Sequence, residues 1–280
     1  VSLSPDGTLL AVIFGTQPTG DPSPDGYNGV ILYDTGTGQP VATLDLFGAM
    51  TTAFSLDGTM FAVSGNSTVV FDLPKLFEIK TVNEENALQA FESGVLRNSI
   101  EGAQWSYQLG FLPDNRTLYT VDTAHKLWDI STPTDLSNLD NIPSPSFVML
   151  PIPEGSDILL NSFVSGEAGA FAAVVEGEGV MNYSIVSIDS DGAVTVIGQP
   201  ALGTGQAIPY VSLDGSLMTL AEPFEVQESS IEGTTLQTLR IRADDVPEPL
   251  FTQTIPQDST FSIAPNGLYG VFSTVVDGHP

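Results

Sequence analysis

The chain has 280 residues, enough for one large all-β domain, and 41% of them are apolar, which marks a folded chain rather than an acidic disordered tail. Seven Lys and Arg face 34 Asp and Glu, a formal charge of −27 that excludes binding to a phosphate backbone or adsorption to anionic lipid and favours cationic partners and divalent ions. Cysteine is absent, which excludes disulfides, thiolate zinc sites and thiol nucleophiles.

The chain opens inside a hairpin. Val1–Ser4 (VSLS) and Leu9–Phe14 (LLAVIF) flank Asp6-Gly7, and an Asp-Gly pair between apolar runs predicts a tight turn with positive φ at both central residues. A third strand closes on Tyr33-Asp34 and a fourth spans Pro40–Leu44, with the turn-rich loop Pro18–Asn28 joining strands two and three. The plan returns at Thr51–Asp72 around Asp57-Gly58, with its fourth strand expected at Phe77–Val82. Asn83–Ala103 exceeds the repeat, and Ala87, Leu88 and Phe91 within it predict one or two helical turns. Phe111–Asp129 is the third copy, turning at Asp114-Asn115 and closing on Trp128-Asp129. From turn Asp to closing Asp is 15 residues in both the second and third copies.

A fourth copy is read from FVMLPI, a turn at Glu154-Gly155, and ILLNSF, with a third strand ending Ile188-Asp189 and a fourth at Ala193–Ile197. The fifth turns at Asp214-Gly215, continues through LQTLRIRADD and ends at Leu250–Thr254. The sixth turns at Asn266-Gly267 and stops after its second strand. Successive turns are spaced by 51, 57, 40, 60 and 52 residues, one four-stranded unit plus variable loops each time. Glu176–Asn182 and Glu222–Gly233 are expected as acidic loops. The blades are drawn at 1–48, 49–82, 104–145, 146–200, 201–256 and, in part, 257–280, with an insertion at 83–103, in a single domain.

SPDGTLLAV, FSLDGTMFAVSG, HKLWDI and FSIAPNGLYGVFS resemble the repeats of WD-type and Pro-Asp-type β-propellers, although the Gly-His pair usual ahead of the first WD strand is present only as Gly278-His279, out of place. The resemblance implies an all-β propeller of four-stranded antiparallel blades, about six detectable, with the ring incomplete at the given termini. Missing strands in a longer polypeptide, or a second chain over the open edge, would complete it.

The sequence carries no nucleophile elbow, Walker loop or zinc-protease motif. His125 reads as a strand residue rather than a base, since no second His accompanies it. Turn residues Asp6, Asp57, Asp114 and Asp214 and strand-closing Asp34, Asp72, Asp129 and Asp189 read as acceptors of backbone hydrogen bonds. Asp21, Asp25 and Asn28 are the candidate oxygen ligands for a metal, calcium if any; the spacing lacks the D-x-[DN]-x-[DN]-G pattern, which favours a solvated turn. Arg97, Trp105 and Tyr107 are the candidate binding residues, because interface hot spots favour these types and loops on a rigid scaffold carry function; the competing reading packs Trp105 between blades. Sequons at Asn66, Asn115 and Asn182 read as turns.

The expected function is a non-enzymatic scaffold that recognises or assembles with protein partners, without cofactor, nucleic acid or membrane insertion. The lack of cysteine and scarcity of lysine suggest a prokaryotic protein outside the cytoplasm, secreted, periplasmic or at the cell surface. The alternatives are a hydrolase or lactonase with an axial metal, and the gating propeller of a larger prolyl-oligopeptidase-like enzyme.

Overall fold

A strand covered on both faces needs apolar side chains at successive positions, and its two-residue period sends alternate ones into different layers. The computed structural model describes residues 1–14, 29–46, 48–83, 86–135, 143–152, 156–158, 162–176, 180–204, 207–226, 231–241, 246–256, 259–263 and 270–274. Their contacts divide the chain into two compact units, Val1–Leu150 and Pro151–Pro280.

In the first unit, β1 (Ser2–Leu3), β2 (Leu9–Phe14), β3 (Gly29–Asp34) and β4 (Pro40–Leu44) form an antiparallel meander. The second blade starts with β5 (Thr51–Phe54), β6 (Met60–Ser64) and β7 (Thr68–Asp72). Here the expected fourth strand at Phe77–Val82 gives way to helix α1 (Leu73–Ile79). Asp72 caps it, accepting from the Lys75 N–H, Pro74 occupies the first turn, and Leu73 and Leu76 bury one face. Only β8 (Thr81–Val82) is extended, and it lies parallel to β4 at the edge of the first blade.

Helix α2 (Ala87–Glu92) falls where the spacing predicted it. The strand that completes the second blade is β9 (Leu96–Ile100), inside the stretch expected as an insertion. Its polar LRNSI reflects an edge satisfied by the next blade: Thr134 N–H donates to the Arg97 carbonyl at 2.9 Å and Asn98 Nδ2 to the Thr132 carbonyl at 2.8 Å. β10 (Gln108–Phe111), β11 (Thr117–Val121), β12 (His125–Asp129) and β13 (Phe147–Met149) make the third blade. Phe147–Met149 was expected to open the fourth copy; it pairs with β12 and closes the third instead.

Alternation builds the core of this unit. Phe61, Val63, Val69 and Phe71 join one buried cluster with Leu32, Leu44 and Leu76, whereas Met60, Ala62 and Val70 join another with Phe111, Leu118 and Trp128. Both faces of β6 and β7 are thus covered, which is why MFAV and VVF run apolar without a break. Each large side chain so buried contributes about 1.5–3 kcal/mol.

The second unit repeats the plan with longer strands. β14 (Ser156–Ile158) and β15 (Val164–Gly166) both pair with β16 (Gly169–Glu176), followed by β17 (Val180–Ile188) and β18 (Val194–Thr204). Ile158, the first residue of the ILLNSF read as a second strand, therefore lies in a strand that pairs with β16 ahead of the hairpin turn. Ser162 Oγ takes the Ala173 N–H at 3.0 Å, standing in for a strand carbonyl. The hairpin turns at Glu167-Ala168, between the paired Gly166 and Gly169. Glu154-Gly155 and Asn266-Gly267 lie outside the described residues.

β19 (Ile208–Val211), β20 (Leu217–Val226), β21 (Ile231–Arg240) and β22 (Glu248–Pro256) form the next blade. Most of Glu222–Gly233, expected as a loop, is ladder out to Val226 and Ile231, and Asn182 lies in β17 rather than in a turn. β23 (Ser259–Ile263) pairs with β24 (Gly270–Thr274). Phe171, Tyr183, Ile185, Met218 and Leu220, from the β14–β18 and β19–β22 sheets, are buried together in one cluster.

The Asp-Gly turns differ in detail from a two-residue hairpin. Ser4 N–H donates to the Leu9 carbonyl, so the loop holds four residues, and the Gly7 N–H closes an inner turn onto the Ser4 carbonyl. Positive φ is confined to the second residue of each pair, 73° at Gly7, 68° at Gly58, 52° at Asn115 and 67° at Gly215.

Candidate functional site

The acidic turn residues are accounted for by structure. Asp6 Oδ1 accepts from Ser4 Oγ at 2.6 Å and from the Thr8 N–H at 3.0 Å, and Asp57 and Asp214 do the same with Ser55 and Thr59, and with Ser212 and Ser216. The Ser4 hydrogen bond foremost, then those from Thr8, holds the Asp6 carboxyl below its ordinary value. Burial pushes Asp57 and Asp214 up, and their turn hydrogen bonds outweigh it, so both end below the usual range. Asp114 accepts from the Arg116 and Thr117 amides, and Asp34, Asp72 and Asp129 from those of Thr37, Lys75 and Ser131. His125 Nδ1 lies 2.9 Å from the Tyr119 hydroxyl, within its strand pair.

Antiparallel pairing brings four connections of the first unit to one end of its blades. These are the β4–β5 connection, described at 45–46 and 48–50, the β6–β7 turn at 65–67, the β9–β10 connection at 101–107 and the β11–β12 turn at 122–124. Trp105 and Tyr107 stand on this face, 44% and 57% exposed, with Ser106 fully buried between them. Three successive amides anchor the segment. Trp105 N–H donates to the Gly65 carbonyl at 2.7 Å, Ser106 N–H to Ser64 Oγ at 2.9 Å and Tyr107 N–H to the Val121 carbonyl at 2.8 Å.

Trp105 holds a left-handed backbone, φ 54°, sparsely populated for a bulky residue. Its indole packs so closely on Gly48 that a β carbon there would meet Cη2 at 2.8 Å, and Gly48 itself has φ 77°. Gly65 lets the Gly48 carbonyl approach as near as 3.0 Å to where its own β carbon would sit. The Trp that packs between blades is Trp128, 1% exposed, with its indole N–H on Thr120 Oγ1 at 2.8 Å.

Beside this anchor is a pocket of about 180 Å³. It is lined by the apolar Leu46, Val63 and Val69 and by the polar Asp45, Asn66 and Ser67. Asp45 and Gly48 gave no sequence signal, lying in a connection without motif, and Asn66 registered only as a sequon. Arg97 is not part of this face: it sits near the far end of β9, where its Nη2 donates to the Ser131 carbonyl at 3.2 Å. Asp21, Asp25 and Asn28 lie outside the described residues, and among the described residues no three His, Asp or Glu side chains group to hold a metal. No described helix is long and apolar enough to cross a membrane.

No family model and no curated protein matches the chain. Solved structures resemble it in fold. The Swd1 (Cps50) β-propeller domain of Myceliophteria thermophila aligns with a TM-score of 0.52 at 12% identity, over 90% of this chain and 70% of that one. A periplasmic gluconolactonase of Pseudomonas aeruginosa aligns at 0.53 and 14%, over 96% and 76%. KlAtg21, solved in complex with the coiled coil of AgAtg16, aligns at 0.55 and 9%, over 97% and 76%. At these identities the likeness concerns the fold alone, and with the run of four-stranded antiparallel sheets it establishes a β-propeller.

Proposed function

We propose that this β-propeller is a non-enzymatic recognition module that binds a protein partner through the loop face carrying Trp105 and Tyr107. The observation that carries the reading is two large aromatic side chains held out to solvent on a segment whose three amides, Trp105 to Tyr107, are spent on the Gly65 carbonyl, the Ser64 hydroxyl and the Val121 carbonyl. Aromatic anchors of this kind dominate interface energetics, and holding them rigid in advance lowers the entropic cost of association. A similar fold is seen with a protein partner in the complex of KlAtg21 with the coiled coil of AgAtg16. The acidic, cysteine-free composition supports a module working outside the cytoplasm.

The test is affinity capture from the producing cells with wild-type chain and with Trp105→Ala and Tyr107→Ala. The reading predicts a specific protein retained by wild type and lost, by at least tenfold, in both variants. Equal capture by all three, or lactone hydrolysis by the wild type, would contradict it.

A further inference from the structure

We infer that the pocket beside Trp105 accepts the side chain of a lysine or arginine from that partner, with Asp45 as its counter-ion; the inference rests on the recognition reading and names its chemistry. Three observations carry it. First, Asp45 is exposed and, among the described residues, its carboxylate makes no hydrogen bond or ion pair, unlike Asp6, Asp34, Asp57, Asp72, Asp114, Asp129 and Asp214, whose carboxylates are engaged by their own turns. The Asn66 amide, which lines the same pocket, has no partner among the described residues either.

Second, the pocket's size selects the occupant. About 180 Å³ is below the roughly 300–1,000 Å³ of small-molecule sites, but it is room for one long side chain. Leu46, Val63 and Val69 offer apolar surface for a methylene stem, while the Asp45 carboxylate suits the charged head. Third, the charge of −27 steers cations and repels acidic segments.

Trp105 also supplies the probe. The chain has two tryptophans and Trp128 is buried, so a ligand-induced fluorescence change reports Trp105. Titration with a glycine-flanked, capped lysine peptide at physiological salt is expected to give a saturable change, with the norleucine analogue at least tenfold weaker. Asp45→Asn should weaken lysine-peptide binding at least tenfold with thermal stability unchanged, and Glu78→Gln, at an exposed position of α1 with the same change in net charge, should leave it within twofold. No saturable change with the lysine peptide, equal binding of norleucine, or equal effects of Asp45→Asn and Glu78→Gln would overturn the inference. Partner capture that survives Asp45→Asn but is lost in Tyr107→Ala would also overturn it, while leaving the recognition reading in place.

Discussion

At the scale of single residues, the recurrent turn aspartates are spent on turning the chain. Asp57 collects hydrogen bonds from Ser55 Oγ and from both the amide and the hydroxyl of Thr59. Its carboxyl is therefore lower in the folded state than the ordinary value of about 3.9, and its stabilising contribution is complete above that value and lost as pH falls through the folded one. Acid also relieves repulsion within a chain of charge −27, which works in the opposite direction, so the informative quantity is a difference. Asp57→Asn should lower the unfolding free energy at neutral pH by on the order of 1 kcal/mol, and the gap from wild type should shrink below about pH 4. Denaturant melts across that range check it. Asn115 is a second case. Its Oδ1 accepts the Leu56 N–H at 2.9 Å, tying the turn of the third blade to that of the second, which explains why Asn stands where other copies have Gly. Asn115→Gly keeps the left-handed turn and loses the tie; equilibrium unfolding should register a loss of about 1 kcal/mol.

At the scale of elements, the hairpins with Asp-Gly or Asp-Asn were legible because turn chemistry and two-residue alternation agree there. The fourth copy was misphased because its hairpin turns at Glu167-Ala168, without an Asp-Gly signal, while Glu154-Gly155 offered a decoy. β9 was missed because an edge covered by Thr132 and Thr134 tolerates Arg, Asn and Ser, which no periodicity reveals. α1 did carry a signal, the Asp72 cap followed by Pro74, but Asp72 was read only as the end of a strand. The face with Trp105 was half legible: residue type pointed to the aromatics, whereas Asp45, Gly48 and Asn66 reach it through tertiary contacts. Gly48→Ala would put a methyl 2.8 Å from the indole on a backbone of φ 77°. It should cost about 1–2 kcal/mol and shift Trp105 emission, read by thermal melts and fluorescence. Phe61→Ala, which empties a fully buried site in the first unit, should cost about 3–5 kcal/mol in the same melts.

At the scale of the molecule, repeated blades divide labour. Strands β5, β6 and β7 spend their side chains on burial, and the turns at the Asp-bearing end spend theirs on capping. The opposite end of the first unit keeps exposed aromatics, an unpaired carboxylate and a small pocket. A recognition surface at that end requires contact there and not at the other. A photo-crosslinking residue placed at Tyr107, and separately at exposed Gln39 in the β3–β4 turn at the far end, tests this in the producing cells. The account predicts one discrete protein adduct from position 107 and none from position 39. An adduct from position 39 alone, or the same adduct in equal yield from both, would contradict it.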